Sequence, residues 1–174
     1  MTSGPLFENL VELHYRELYR FAYSLVRNEA DASDLTQQTF FIWASKGHQL
    51  RDTAQAKSWL FTTLHREFLQ RHRRASRFSH HEISTAEHEL PQVMPDTIQK
   101  MDASLLLDFL ARLDPIYRAP LVLHYMEETP YKEIAAILRL PLGTVQSRIS
   151  RGKQILYRML SSPGDQASTE VSDG

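Results

Sequence analysis

The stretch from residue 129 to 160, TPYKEIAAILRLPLGTVQSRISRGKQILYRML, constrains the fold more than any other part of the chain. Tyr131, Ile134, Ala135 and Leu138 recur at helical spacing and then the period stops. Residues 139–143 carry a proline and a glycine and read as a tight turn. A second helical period runs over 144–160, with Val145, Ile149, Ile155, Leu156 and Leu160 as the inward set. Two helices joined by so short a turn must pack on one another, which is the layout of a helix-turn-helix. Ala135 falls where they cross, because a larger side chain would push them apart. Residues 139–160 hold five Lys/Arg and no acid. Thr144, Gln146, Ser147, Arg148, Arg151 and Lys153 remain for the outer face. Gln146 and Arg148 have the reach and donors to read base edges. Thr144 and Ser147 suit phosphates at a helix N-terminus, and Arg151 and Lys153 suit phosphates further along.

The rest of the chain is also helical in pattern, and no strand signal interrupts it. The spacing predicts helices over 6–26, with Leu6, Leu10, Leu13, Leu18, Phe21, Ala22 and Leu25 inward, and over 31–46, capped by Asp31. Leu35, Phe40, Ile42 and Trp43 are the apolar set of the second, and Gly47 reads as its stop. A third helix is expected over 58–74, with Trp59, Leu60, Leu64 and Phe68. Beyond the linker, Leu105, Leu106, Phe109, Leu110 and Leu113 line another helix face. Asp114-Pro115 and Thr129-Pro130 each read as a cap followed by proline at the first helical position. Pro120 should bend the helix that contains it or shift its start toward Tyr117. The fold class is therefore all-α: two small helical domains joined by a flexible linker, the C-terminal one a helix-turn-helix. The expected boundaries are 1–76, an acidic linker over 77–100, 101–160, and a disordered tail over 161–174.

Charge follows the same division. Residues 57–77 hold six Lys/Arg and one acid, whereas 82–102 hold five acids and one base. The chain reads basic, acidic, basic, although its net charge is −1. Two separated basic stretches suggest two contacts with one polyanion, usually nucleic acid. A total near zero argues against indiscriminate DNA binding by the free protein.

Composition removes other classes. With no cysteine there is no disulfide, Cys-ligated zinc, iron–sulfur cluster or thiol nucleophile. The start, MTSGPLFENL, lacks the basic-then-apolar order of a signal peptide, and no run is apolar enough to span a membrane. The expected location is cytoplasmic. His80, His81, Glu87 and His88 lie close in sequence, but no period converges them, so neither a metal nor a cofactor is expected.

Residues 111–156, ARLDPIYRAPLVLHYMEETPYKEIAAILRLPLGTVQSRISRGKQIL, resemble the promoter-binding C-terminal domain of the extracytoplasmic-function sigma factors of bacterial RNA polymerase. The strongest part is 131–152. DASDLTQQTFFIWA, residues 31–44, and KSWLFTTLHREFLQRHRR, residues 57–74, resemble the other domain of the same family. The matches cover about 130 of 174 residues in the family's order. The resemblance implies a non-enzymatic subunit that binds core RNA polymerase and directs it to promoters, in a stress or envelope response controlled by an anti-sigma factor.

Carried over by position, the resemblance assigns Asp31, Asp34, Gln37, Gln38 and Thr39 to docking on the beta-prime clamp helices. It assigns His65, Arg66, Arg71, Arg73 and Arg74 to the minus-ten promoter element, where a non-template base is captured. Thr144, Gln146, Ser147, Arg148, Arg151 and Lys153 go to the minus-thirty-five element. It adds the beta flap as a second polymerase contact. This chain has Gln38 where the family often has Glu, His65-Arg66 for Arg-Asn, Arg139 for Gly and Gln146 for Lys. The rival reading is a dimeric helix-turn-helix regulator of the response-regulator output type. It leaves residues 31–44 unexplained and lacks a βα receiver pattern. A histidine-based hydrolase would need ligands on facing helices, which the pattern does not supply.

Overall fold

The computed structural model describes residues 3–47, 50, 52–75 and 102–161. The expected linker, with His80, His81, Glu87 and His88, and residues 162–174 of the expected tail lie outside the described residues, whereas Ser161 still belongs to the last helix. Three helices form the N-terminal cluster: α1 (Ser3–Val26), α2 (Glu29–Lys46) and α3 (Ala56–Ala75). Four form the C-terminal cluster: α4 (Ala103–Leu110), α5 (Pro115–Tyr125), α6 (Tyr131–Leu138) and α7 (Leu142–Ser161). Among the described residues there is no strand.

Helix α1 buries Leu10, Leu18, Phe21, Ala22 and Leu25. Leu6 and Leu13, expected on that face, are 44% and 67% exposed. At about 100° per residue, Leu13 stands roughly 140° around the helix from Leu18, and Leu6 roughly 120°. Leu6 and Leu13 therefore lie at the outer edge of the apolar arc of α1, past Leu10, and do not meet the core. Arg27 ends the helix in the left-handed conformation, φ 58°. Asn28, not Asp31, is the N-cap of α2: its side chain accepts from the Asp31 amide at 3.1 Å. Asp31 stands in the first turn, where it complements the helix dipole.

Gly47 does end α2, in ordinary right-handed geometry (φ −62°). A Cβ there would lie 2.6 Å from the Trp43 indole. Glycine is required by that close approach and not by a left-handed turn. Asp52 then accepts from the Ala54 amide at 3.0 Å and starts a short 3-10 turn, Thr53–Gln55, that leads into α3. This lead-in brings α3 to Ala56, two residues ahead of the expected start, and buries Phe61 along with Leu60, Leu64 and Phe68.

In the second cluster, the Asp114 side chain accepts from the Ile116 amide at 3.0 Å with Pro115 in the first turn, as expected. Helix α5 begins at Pro115 and continues through Pro120, so its start is not shifted toward Tyr117. Leu121, Val122 and Leu123 are fully buried, and their burial outweighs the one backbone hydrogen bond that Pro120 forfeits. Leu105 is 49% exposed and leaves the expected α4 face. Thr129 does not cap α6: Pro130 occupies the N-cap position, and the Thr129 hydroxyl donates to Glu127 O. The turn after α6 is made by Arg139 in the left-handed conformation, φ 53° and ψ 49°. Helix α7 starts at Leu142, not 144, because Pro141 O already accepts from the Thr144 and Val145 amides. Gly152 lets α7 approach α5, since a Cβ there would come within 2.6 Å of Leu121 Cδ1.

The clusters pack on each other, α1 against α5 and α3 against α6, and their apolar residues form one core. Arg118 of α5 bridges them. Its buried guanidinium donates to Ser24 O and Leu25 O in the last turn of α1, and to Leu110 O, Ala111 O and Leu113 O at and just beyond the end of α4. Arg20 of α1 holds Glu127 through two bonds of 2.7 and 2.9 Å. Arg27 donates to Leu107 O and to Asp108.

The strained turn at Arg139 gives a direct test. Arg139→Gly relieves a left-handed backbone cost of about 1 kcal/mol, so urea denaturation should show a gain in stability of that order.

Candidate nucleic-acid interface

Helix α7 is fixed by an inward line of Val145, Ile149, Gly152 and Leu156. With that line inside, Gln146 and Ser147 are exposed, and Thr144, Arg151 and Lys153 are half-buried. Thr144 lies in the first turn, where free amides point outward. The Ser147 hydroxyl donates to Thr144 O at 3.1 Å. Lys153 sits over the Tyr125 ring at 5.5 Å, on the Gln146 flank. Arg148 lies on the opposite flank, about 160° around from Gln146. It is half-buried, and burial lowers its pKa. The structure therefore groups Thr144, Ser147 and Arg151 but does not bring Gln146 and Arg148 to one spot.

Helix α3 carries the second basic surface. Arg73 and Arg74 are exposed in its last turn. Arg71 reaches back to α2 and pairs with Asp34 at 2.8 Å, an exposed pair of small energetic weight. Arg66 lines a cavity of about 240 Å³ together with Lys46, Leu50 and Trp59. Trp59 forms its wall, held edge-on against Trp43 at 5.1 Å. The cavity thus joins two cationic side chains with one indole, a combination that can stack a flat ring and hold an anion beside it.

His65 departs from the basic surface. It stands between Phe21 and Phe68, both at 6.5 Å ring to ring. Burial, with the Arg148 guanidinium second, pushes its pKa down to about 4. It is neutral at pH 7 and supplies no positive charge. The expectation that it adds to a cationic face is corrected on this point.

On α2, Asp31, Asp34 and Gln37 are exposed and Gln38 is half-buried. Thr39 is fully buried, and its hydroxyl donates to Leu35 O at 2.9 Å. It packs within the core. Phe41 is 67% exposed, on the same helix face as Asp34, Gln37 and Gln38.

The sigma-70 region 2 family matches residues 10–78, and sigma-70 region 4 matches residues 103–156. ECF RNA polymerase sigma factor SigL of Mycobacterium tuberculosis is 32% identical over 93% of this chain and 93% of its own length. ECF RNA polymerase sigma factor SigE of Mycolicibacterium smegmatis is 37% identical over 90% of this chain, which spans 62% of that protein. The chain belongs to the extracytoplasmic-function group of the sigma-70 family. Among solved structures, the sigma factor RpoE of Bartonella quintana, in complex with the anti-sigma factor NepR, superposes with a TM-score of 0.69 at 26% identity, covering 90% of this chain and 98% of that one. CnrH, solved with the cytosolic domain of CnrY, shares the fold with a TM-score of 0.64 at 24% identity, covering 88% and 86%. Sigma factors are promoter-specificity subunits and not enzymes. Among the described residues no helix is long and apolar enough to cross a membrane.

Two features of this sigma factor lie outside the residues that the sequence pattern singles out. Phe41 was legible: adjacent phenylalanines on a helix are about 100° apart, so Phe40 and Phe41 cannot both face the core. The interdomain arginines were not, because no local pattern tells Arg20 or Arg118 from a solvated arginine.

The His65 environment predicts a pH effect. Between about pH 6.5 and 4 the unfolded chain binds a proton at this ring that the folded chain refuses, so the stability His65 contributes is present above 6.5 and is lost as pH falls toward 4. The His65 ring resonances should titrate with a midpoint near 4, and Arg148→Ala should raise that midpoint without restoring 6.5.

Proposed function

We propose that this sigma factor binds core RNA polymerase and carries it to a restricted set of promoters, with α7 reading the minus-thirty-five element and α3 handling the minus-ten element. The observation that supports it best is the pairing of two separate cationic surfaces with matches to both region 2 and region 4 in one chain. In this reading Thr144, Ser147 and Arg151 hold phosphates at the groove edge, while Gln146 reads base edges and Lys153 supports its flank. Arg148 turns toward the duplex only when its interdomain setting is released. Arg73 and Arg74 attract the minus-ten strands, and Arg71 joins them by exchanging Asp34 for phosphate. The cavity of Lys46, Leu50, Trp59 and Arg66 takes the extruded base, stacked on the Trp59 indole. His65 acts as an apolar spacer beneath this surface.

Asp31, Asp34, Gln37, Gln38 and Phe41 form the docking face for the beta-prime clamp helices. Phe41 supplies the apolar anchor and its polar neighbours the rim, the usual anatomy of a protein interface. The C-terminal cluster meets the beta flap. Control by an anti-sigma factor draws support from RpoE, which superposes across both clusters while held by NepR.

In vitro transcription with purified core enzyme on a genomic fragment library tests the reading. Start sites that depend on this chain are expected, with permanganate-reactive thymines upstream of them. In the Arg73→Ala/Arg74→Ala variant, thymine reactivity should fall more than polymerase binding does. No dependent start site would overturn the proposal.

A further inference from the structure

The cavity beside Trp59 is lined by side chains of one hydrogen-bonding sense. Lys46 brings an ammonium, Arg66 a guanidinium and Trp59 an indole N–H, while Leu50 is apolar. All three polar groups donate, and none of these four side chains can accept. Arg66 stands where the family often has Asn. An amide offers both a donor and an acceptor, whereas a guanidinium offers donors alone. A base whose amino group needs a protein acceptor therefore loses that partner in this chain. Trp59 and Arg66 are seven residues apart and share one face of α3. Side chains on a helix lean toward its N-terminus, so the Arg66 fork comes back toward the indole. The contact of Arg66 with Glu67 is loose, 3.9 Å, and runs from Nε and not from the terminal nitrogens.

We infer that this cavity selects guanine as the extruded base, with the Arg66 fork on O6 and N7, the ring stacked on Trp59 and Lys46 on an adjacent phosphate. The inference rests on the reading of the cavity as the seat of an extruded minus-ten base, and adds which base it takes. Two filters decide. The first is the edge of the base, because a planar fork needs two neighbouring acceptors. Guanine has them at O6 and N7, the commonest arginine contact to a base. Adenine sets its amino group beside N7, so a donor would face a cation. Thymine alternates its oxygens with N3–H. Cytosine passes, with O2 next to N3. The second filter is size. The cavity, about 240 Å³, has room for a two-ring base. A pyrimidine leaves part of it empty, covers less of the indole and forgoes dispersion contacts. Guanine alone passes both filters. Lys46, a compact point charge on a flexible stem, suits the neighbouring phosphate.

The test uses holoenzyme assembled from core polymerase and this chain. It is mixed with single-stranded DNA of random sequence, and bound strands are sequenced against a core-only control. The bound pool should hold guanine at one fixed position. Arg66→Gln should move that position from guanine to adenine, because an amide pairs with N6 and N7 of adenine. Neither a misfolded variant nor a general loss of charge can produce such an exchange. On a strand fixed to the selected sequence, inosine removes only the 2-amino group and should bind as guanine does. 7-Deazaguanine removes N7 and should bind about tenfold more weakly. Another base at the position that Arg66→Gln alters overturns guanine and leaves the cavity as the seat of an extruded base. A selected sequence that Arg66→Gln leaves unchanged, or a 7-deazaguanine strand bound as tightly as guanine, overturns the fork. Failure of the underlying reading would show separately, as no sequence enriched over core polymerase alone.

Discussion

One buried guanidinium does more than any other side chain to join the two clusters of this sigma factor. Arg118 is buried and donates five hydrogen bonds, all to backbone carbonyls. Two of these carbonyls end α1 and three lie at and beyond the end of α4. The last turn of a helix leaves such oxygens without intrahelical partners and carries partial negative charge. A planar, permanently charged fork of five N–H groups can satisfy two helix ends at once, and no other side chain offers that geometry. Burial lowers its pKa, but an arginine stays charged. The same side chain that completes the C-terminal cluster also ties it to the N-terminal one. Domain packing and domain folding therefore share a single contact.

That tie divides the surfaces of the molecule. With α1 set on α5 and α3 on α6, the meeting of the clusters decides which polar side chains face water. Arg73, Arg74, Gln146 and Ser147 stay outside, whereas His65 and Arg148 are drawn toward the seam. His65 then loses the capacity to carry charge at neutral pH. The cavity beside Trp59 is independent of the tie. It lies within the N-terminal cluster, lined by Lys46, Leu50, Trp59 and Arg66, with Trp59 resting on Trp43, and Gly47 is glycine because the Trp43 ring leaves no space for a Cβ.

Much of the local structure was legible in the residues. The Asp114-Pro115 start of α5, the α6–α7 hairpin and the inward set Val145, Ile149 and Leu156 come from caps and period alone. The errors have physical causes. Asn28 and Asp31 are both good caps, and the one that won is the one that follows a left-handed Arg27. Leu6 and Leu13 are apolar at nearly helical spacing, but drift of the period carries them off the buried stripe. Thr129 precedes a proline yet caps nothing, because its hydroxyl is taken by Glu127 O within the same turn. Thr39 reads as polar and therefore outward, but its hydroxyl bonds Leu35 O in its own helix and so can be buried. Such local hydrogen bonds remove the cost that makes polarity a guide to exposure.

The helices, the helix-turn-helix, the alternation of basic and acidic stretches and the family can all be read from the residues alone. Each is encoded within a window of one or two helices, through period, capping and net charge, and survives whatever surrounds it. Which cations face water, which histidine is neutral and how the two clusters meet follow only from the folded arrangement. Those outcomes depend on desolvation and on partners far away in the chain, such as Arg20 with Glu127, 107 residues apart, and Arg118 with Ser24, 94 apart. An arginine carries the same side chain in water and in a seam. Only the field and the carbonyls around it tell the two apart, and these exist once the chain has folded.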